Sequence, residues 1–201
     1  MKYLDKIQTL LPLGYLYLVV LGIIKETTYF YQLDINIIKY SSIMDILISP
    51  IATLTSHVVI FTTILLFIIF CYYLPSILYK HDHKKWVQKM FELKKTKENF
   101  SDDEIKNYYQ LVTIKFLAVL LLSVYLGYGC TDGYMASKKI KDNTLKFNYK
   151  LTYSSGESEE IFLLEANSIY YFYVQKGSKN IKIAPIGGIK NLELIKNKKL
   201  Q

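Results

Sequence analysis

The run from Ser49 to Lys80, SPIATLTSHVVIFTTILLFIIFCYYLPSILYK, holds no acidic or basic residue except His57 before its terminal lysine. A bilayer core takes about 20 consecutive apolar residues in helical form. In lipid, such a run can satisfy its backbone N–H and C=O groups only as a helix or within a closed barrel. The absence of period-two alternation rules out the barrel and sets the class: an α-helical membrane protein. Ser49 reads as an N-cap with Pro50 at the first helical position. Tyr72 and Tyr73 lie near the far end, and Pro75 marks a kink.

Two further runs share this character. Leu10–Ile24 is apolar and uncharged, and continuing through Lys25 and Glu26 to Tyr31 supplies a spanning length with Tyr29 and Tyr31 as an interfacial belt. Lys2 and Lys6 precede it and no small-x-small cleavage site follows, so an uncleaved signal-anchor is expected. The third run covers roughly Leu111 to Gly129 and is preceded by SDDE, in which Ser101 caps a helix and Glu104 reaches back to it. The expected layout is a transmembrane domain over 1–136 with spans at about 9–31, 50–79 and 108–130. An interfacial amphipathic helix lies at about 36–48, where Asp34, Lys39 and Asp45 interrupt the apolar pattern, and a charged hairpin tip covers 80–107.

Lysines near the span ends set the orientation. Eight lie between the second and third spans and two at the N-terminus, against Lys25 and Lys39 between the first and second. The positive-inside rule places the N-terminus and the tip in the cytoplasm. Three crossings then leave the C-terminal segment outside, with Lys138, Lys139 and Lys141 flanking the third span there.

Past residue 142 the period changes. In LKFNYKLTY, Leu145, Phe147, Tyr149, Leu151 and Tyr153 fall on one face, the mark of a half-buried strand. SSGE turns the chain, and EIFLLE, IYYFYVQ and IKIA follow across hairpin-length connections. PIGG makes a one-turn corner before a last strand, IKNLELI. Five short strands with a helical corner before the last resemble a small SH3-like or Sm-like barrel over 143–197. A unit this small is marginal alone, so docking on a neighbour is expected.

Candidate functional residues are few. His57 falls near the outer end of its span, close in depth to Glu26 and Asp132, and the three form a candidate polar cluster at the outer mouth of an oligomer. A structural hydrogen bond is the plainer role for His57. Lys115 is an intramembrane charge about a turn past Tyr108 and Tyr109, placed to snorkel to the headgroups. Gly14 and Gly22, and Gly127 and Gly129, are candidate points of close helix approach. On the β module, Tyr153, Tyr170, Tyr171 and Tyr173 are candidates for stacking on a nucleic acid or another partner. Alternation sends about half of them inward, and the lysines are scattered in place of forming a stripe.

His81, Asp82 and His83 supply metal-ligand atoms, but neighbouring residues on a helix face apart, so no metal is expected. Cys71 and Cys130 read as small packing residues. No nucleophile elbow, phosphate-binding glycine loop, zinc-protease signature or Cys–His arrangement is present, so neither an enzyme nor a cofactor is expected. All 25 basic residues are lysine, which denies the chain the guanidinium fork that clamps phosphate in bidentate fashion.

LPLGYLYLVVLGIIKETTYFY and KYSSIMDILISPI, in a lysine-, isoleucine- and tyrosine-rich chain of this length, resemble small bacterial membrane accessory proteins of defence systems. The layout is similar to the accessories encoded beside the RNA-guided RNase of type VI-B CRISPR loci. One branch of those carries a HEPN-type Arg-x-x-x-x-His pair, which a chain without arginine cannot have. The resemblance to the other branch implies regulation of an immune effector at the inner membrane, with a defence-system protein as partner. Two function classes follow. The first is a homo-oligomeric membrane effector or regulator, channel-like or scaffolding. The alternative is a membrane-tethered β-barrel adaptor that binds RNA, a peptide or envelope material.

Overall fold

The computed structural model describes residues 2–81, 83–85, 87 and 101–195, with side chains from Leu11 onward. Most of the charged tip, Asp82, Trp86 and the KNKK tail lie outside the described residues. Helix α1 covers Lys2–Tyr31, α2 covers Ile43–Ser56, α3 covers Val58–Lys80 and α4 covers Asp102–Lys141, followed by a five-stranded sheet. Three helices are long and apolar enough to cross a membrane: α1 over Leu11–Tyr31, α3 and α4. The chain divides into two units, Met1–Pro50 with Tyr125–Gln201, and Ile51–Val124.

Within the smaller unit, α3 and the first part of α4 form the expected helical hairpin. Leu74 and Leu78 of α3 share an apolar core with Val87 and with Ile105 and Tyr109 of α4. The ammonium of Lys106 sits 5.3 Å from the Tyr79 ring centre, a cation–π contact. The predicted capping box is in place: the Ser101 N–H and hydroxyl donate to the Glu104 carboxylate at 2.8 and 3.0 Å.

The second span begins differently from expectation. Ser49 and Pro50 are interior to α2, which starts at Ile43. Its N-terminus is closed by Ser42 and Asp45, whose carboxylate accepts from the Ser42 N–H at 2.9 Å while the Asp45 N–H donates to the Ser42 hydroxyl at 3.2 Å. A proline has no N–H, so Pro50 leaves the Ile46 carbonyl without its helical donor. That carbonyl packs on Gly22 of α1, where a Cβ would stand 1.9 Å from the oxygen. The interfacial helix expected at 36–48 is therefore replaced by a single 3-10 turn, Ile37–Lys39, followed by α2. His57 separates α2 from α3 in extended conformation.

The larger unit joins helices to the sheet. Helix α4 continues past the expected end near residue 130 to Lys141. Both α1 and α4 close with the same left-handed cap, Asp34 at φ 59° and Asn143 at φ 55°. The Ile35 N–H donates to the Phe30 carbonyl at 3.1 Å and the Thr144 N–H to the Lys139 carbonyl at 3.0 Å, the six-to-one bond of a Schellman motif. Asp and Asn tolerate this conformation better than other residues with a Cβ.

Strands β1 (Tyr149–Tyr153), β2 (Ser158–Ala166), β3 (Tyr170–Gln175), β4 (Ile181–Pro185) and β5 (Ile189–Leu194) pair antiparallel in the order β4-β3-β2-β1-β5. A 3-10 turn, Ile186–Gly188, occupies the predicted corner before β5. The first strand starts at Tyr149, not at Leu145, which packs instead toward the helices. The sheet is open, since β4 and β5 are its edges, so the closed barrel of the sequence reading is not formed.

Both faces of the sheet are covered. Leu151, Ile161 and Tyr173 centre one core, made with other residues of the sheet. On the other face Phe172 and Val174 of β3 share a core with Tyr29, Phe30 and Leu33 at the end of α1 and with Ala136 and Ile140 of α4. The Phe30 and Phe172 rings lie 4.9 Å apart, tilted by 60°. This two-sided burial explains why β3 reads YYFYVQ, apolar without alternation.

Candidate functional site: a buried charge cluster where helix meets sheet

Lys25 and Glu26 sit on α1 just before the apolar core it shares with the sheet. They are 7% and 8% exposed, which makes them buried charges that must be paired. The Lys25 ammonium donates to Glu26 Oε1 at 2.7 Å and lies 3.7 Å from Glu165 Oε2 of β2. The Ser49 hydroxyl of α2 donates to the same Glu26 oxygen. Tyr29, one turn on, places its ring 5.9 Å from the Lys25 ammonium and its hydroxyl 3.4 Å from the Leu164 carbonyl.

A β-bulge brings Glu165 here. The β2–β3 register shifts between Leu163 and Glu165, so that Leu163 pairs with Tyr173 and Glu165 with Phe172. Directly opposed residues share a face, and Phe172 faces the helices. Without the extra residue, strict alternation would send Glu165 to the opposite side with Leu163. Burial pushes the Glu165 carboxyl above the usual carboxylate range; Lys25 pulls it down, while Glu26 and Asp132 add repulsion.

Close helix packing makes room for the cluster. Gly129-Cys-Thr-Asp-Gly133 on α4 is a G-x-x-x-G stretch that lies against α1. A Cβ on Gly129 would stand 2.1 Å from the Thr28 hydroxyl oxygen, and one on Gly133 would stand 2.4 Å from the Tyr29 carbonyl oxygen. Asp132 is thus carried by a stretch of α4 that approaches α1 closely. Tyr125, further back on α4, donates its hydroxyl to the Pro50 carbonyl at 2.9 Å.

The sequence-expected residues distribute unevenly. Glu26 and Asp132 belong to this cluster, organised around Lys25 and Glu165, neither of which the sequence reading assigned to it. His57 is the N-cap of α3 in the other unit, and its carbonyl accepts from the Phe61 N–H at 3.0 Å. Lys115 is exposed on α4, also in that unit. Of the glycines, Gly22 and Gly129 are at close approaches, whereas a Cβ on Gly14 or Gly127 would meet nothing within 4 Å.

The expected aromatic platform is not an open surface. Tyr173 is 1% exposed and its hydroxyl is 2.6 Å from that of Tyr153. The Tyr153 hydroxyl donates to Glu159, whose other oxygen accepts from Lys182 at 3.0 Å. Burial raises Glu159, but the bonds from Tyr153 and Lys182 outweigh it and hold the carboxyl below its usual range. Tyr171 packs on the same core, and Tyr170 packs against Tyr40 at 5.7 Å between ring centres. Tyr153, Tyr171 and Tyr173 pack on one covered face and Tyr170 on the other, so the four do not share one face.

Chemically, the Lys25 ammonium is paired with the Glu26 and Glu165 carboxylates, and Asp132 acts on it electrostatically at longer range. It ties α1 to α2 through Ser49 and to β2 through Glu165. Among the described residues no group of three His, Cys, Asp or Glu side chains is arranged to hold a metal ion. Comparison with family models, with curated proteins and with solved structures finds no match.

Proposed function

We propose that this chain is a non-enzymatic multi-span protein of the bacterial inner membrane that acts as an oligomeric effector or regulator, with the sheet mechanically coupled to the membrane helices. One observation carries this reading: Phe172 and Val174 of the sheet and Tyr29, Phe30, Ala136 and Ile140 of two apolar helices share a single core. A tethered adaptor functions on a flexible connection, and here the connection is packed. The Lys25–Glu165 pair extends the contact into the helices.

The strand order, with β1 joined to both β2 and β5 and a 3-10 turn before β5, supports an SH3-like half-barrel for the sheet. The C-terminal ends of α1 and α4 both reach the sheet. With Lys2 and Lys6 at the other end of α1 and eight lysines over 80–107, against Lys138, Lys139 and Lys141 at the sheet end of α4, the balance supports a cytoplasmic N-terminus and an outer sheet. A role beside an antiviral defence system, CRISPR-linked or otherwise, rests on sequence layout.

A potential-sensitive dye in cells expressing the protein tests the effector reading. Wild type is expected to depolarise the membrane on induction, and Phe172→Ala to abolish this while still fractionating with the membrane. A wild type that never depolarises the cell, yet still captures a partner through the sheet, would replace this reading with the tethered adaptor.

A further inference from the structure

A cleft of about 440 Å³ opens within the larger unit, between the end of α1, the last turn of α4 and the β3–β4 connection. Its size suits a small ligand group. Leu33 and Ile140, both buried, supply apolar lining. The polar lining divides by origin. Ser137, Lys141 and Lys179 come from α4 and the turn after β3, and Asp34 comes from the cap of α1. The Lys179 ammonium is fixed at the end of α4 by donating to the Lys141 carbonyl at 2.7 Å. Among the described residues, the Asp34 carboxylate and the Lys141 ammonium have no side-chain hydrogen bond or ion pair.

Depth narrows the ligand. Asp34 follows directly on the candidate span Leu11–Tyr31, and Tyr31, 77% exposed, marks the end of that span. Tyrosine at a span end sits at the headgroups. A cleft at that depth with two ammoniums and a hydroxyl from one side of the chain and a carboxylate from the other matches a ligand with an anion and a cation a few bonds apart.

We propose that this cleft binds the headgroup of a zwitterionic aminophospholipid, with its phosphate on Lys141, Lys179 and Ser137 and its primary ammonium on Asp34. The inference rests on the membrane reading above. A primary ammonium gives N–H donors to the carboxylate, whereas a choline headgroup has none and a glycerol headgroup has no positive charge to offer it. The apolar lining receives the glycerol end of the lipid, which a free headgroup lacks.

Native mass spectrometry of the detergent-purified protein tests it, with phosphatidylethanolamine, phosphatidylcholine and phosphatidylglycerol of matched chains at equal concentration. Wild type is expected to retain the ethanolamine lipid about tenfold over the other two, the scale of one charge-assisted hydrogen bond. Asp34→Asn, which keeps a residue suited to the left-handed cap, removes that preference. Lys141→Gln lowers retention of all three lipids. Equal retention by wild type, or an unchanged preference in Asp34→Asn, overturns the proposal. Retention of free phosphoethanolamine as strong as that of the lipid overturns the lipid as its source. An alkaline carbonate wash of cell membranes tests insertion separately: release of the chain refutes the membrane reading whatever the lipid result.

Discussion

The Ser49 hydroxyl on α2 and the Lys25 ammonium on α1 donate to the same oxygen of Glu26. A buried carboxylate that loses one of two donors bears a desolvation cost it no longer offsets. Ser49→Ala is expected to destabilise the protein by about 1–3 kcal/mol. Thr62→Ala is the control, because the Thr62 hydroxyl bonds only the Val58 carbonyl of its own helix at 2.8 Å, and its loss should stay within about 0.5 kcal/mol. Thermal unfolding in detergent measures both.

Glycine positions give a sharper contrast. An alanine at Gly133 would place its Cβ 2.4 Å from the Tyr29 carbonyl oxygen, and one at Gly22 would meet the Ile46 carbonyl oxygen at 1.9 Å. Backbone atoms cannot yield as a flexible side chain would, so either change forces α4 or α2 away from α1. Overpacking of this kind costs about 1–3 kcal/mol or more. Gly14→Ala and Gly127→Ala meet nothing, and replace a poor helix former by a good one. Yield of folded protein after gel filtration should fall for the first pair and hold or rise for the second.

Much of this was legible from local signals, and the failures share a cause. The Ser101–Glu104 box and the corner at Ile186 depend on nearby residues alone and are where the sequence puts them, while the change of period locates the sheet but begins its first strand four residues early. Ser49-Pro50 was misleading because proline favours a first turn, while the competing box at Ser42 and Asp45 lay one helical stretch upstream. What tolerates Pro50 inside α2 is tertiary: the freed Ile46 carbonyl packs on a glycine of another helix. Glu26 and Asp132 were visible as charges at similar depth. Glu165 was hidden, since alternation assigns it to the wrong face and a bulge leaves no trace in composition. The G-x-x-x-G stretch at Gly129 and Gly133 was present in the sequence and would have located the α1–α4 contact.

Acid should loosen the contact that Asp45 makes. The Asp45 carboxylate accepts from the Ser42 N–H and hydroxyl at 2.9 and 2.6 Å and from the Ser168 N–H and hydroxyl at 2.9 Å each. Burial raises its pKa, but these bonds outweigh burial and hold it below the usual value. A carboxyl lowered by folding stabilises fully above its unfolded value, about 3.9, and that contribution fades as pH falls through the folded value. Wild type minus Asp45→Asn should therefore show a constant stability difference from neutral pH to about pH 5 and a shrinking one below. Glu165, shifted the opposite way, and Glu159, shifted the same way, are common to both proteins and cancel in the difference. A difference that grows on acidification would refute the assignment.

The account stands on the shared core of sheet and helix, and hydrogen exchange on Phe30→Ala measures that directly. Phe30 is fully buried and touches the sheet through Phe172, at 4.9 Å between ring centres. Truncating a buried phenylalanine costs about 3–5 kcal/mol. If α1 and the sheet are one cooperative body, that loss appears in amides the mutation does not touch: β1, Tyr149–Tyr153, whose Leu151 lies in the other core of the sheet, exchanges faster by two orders of magnitude or more. A sheet that keeps wild-type protection while α1 alone loosens would show two independent parts, and the coupling on which the proposed function rests would be gone.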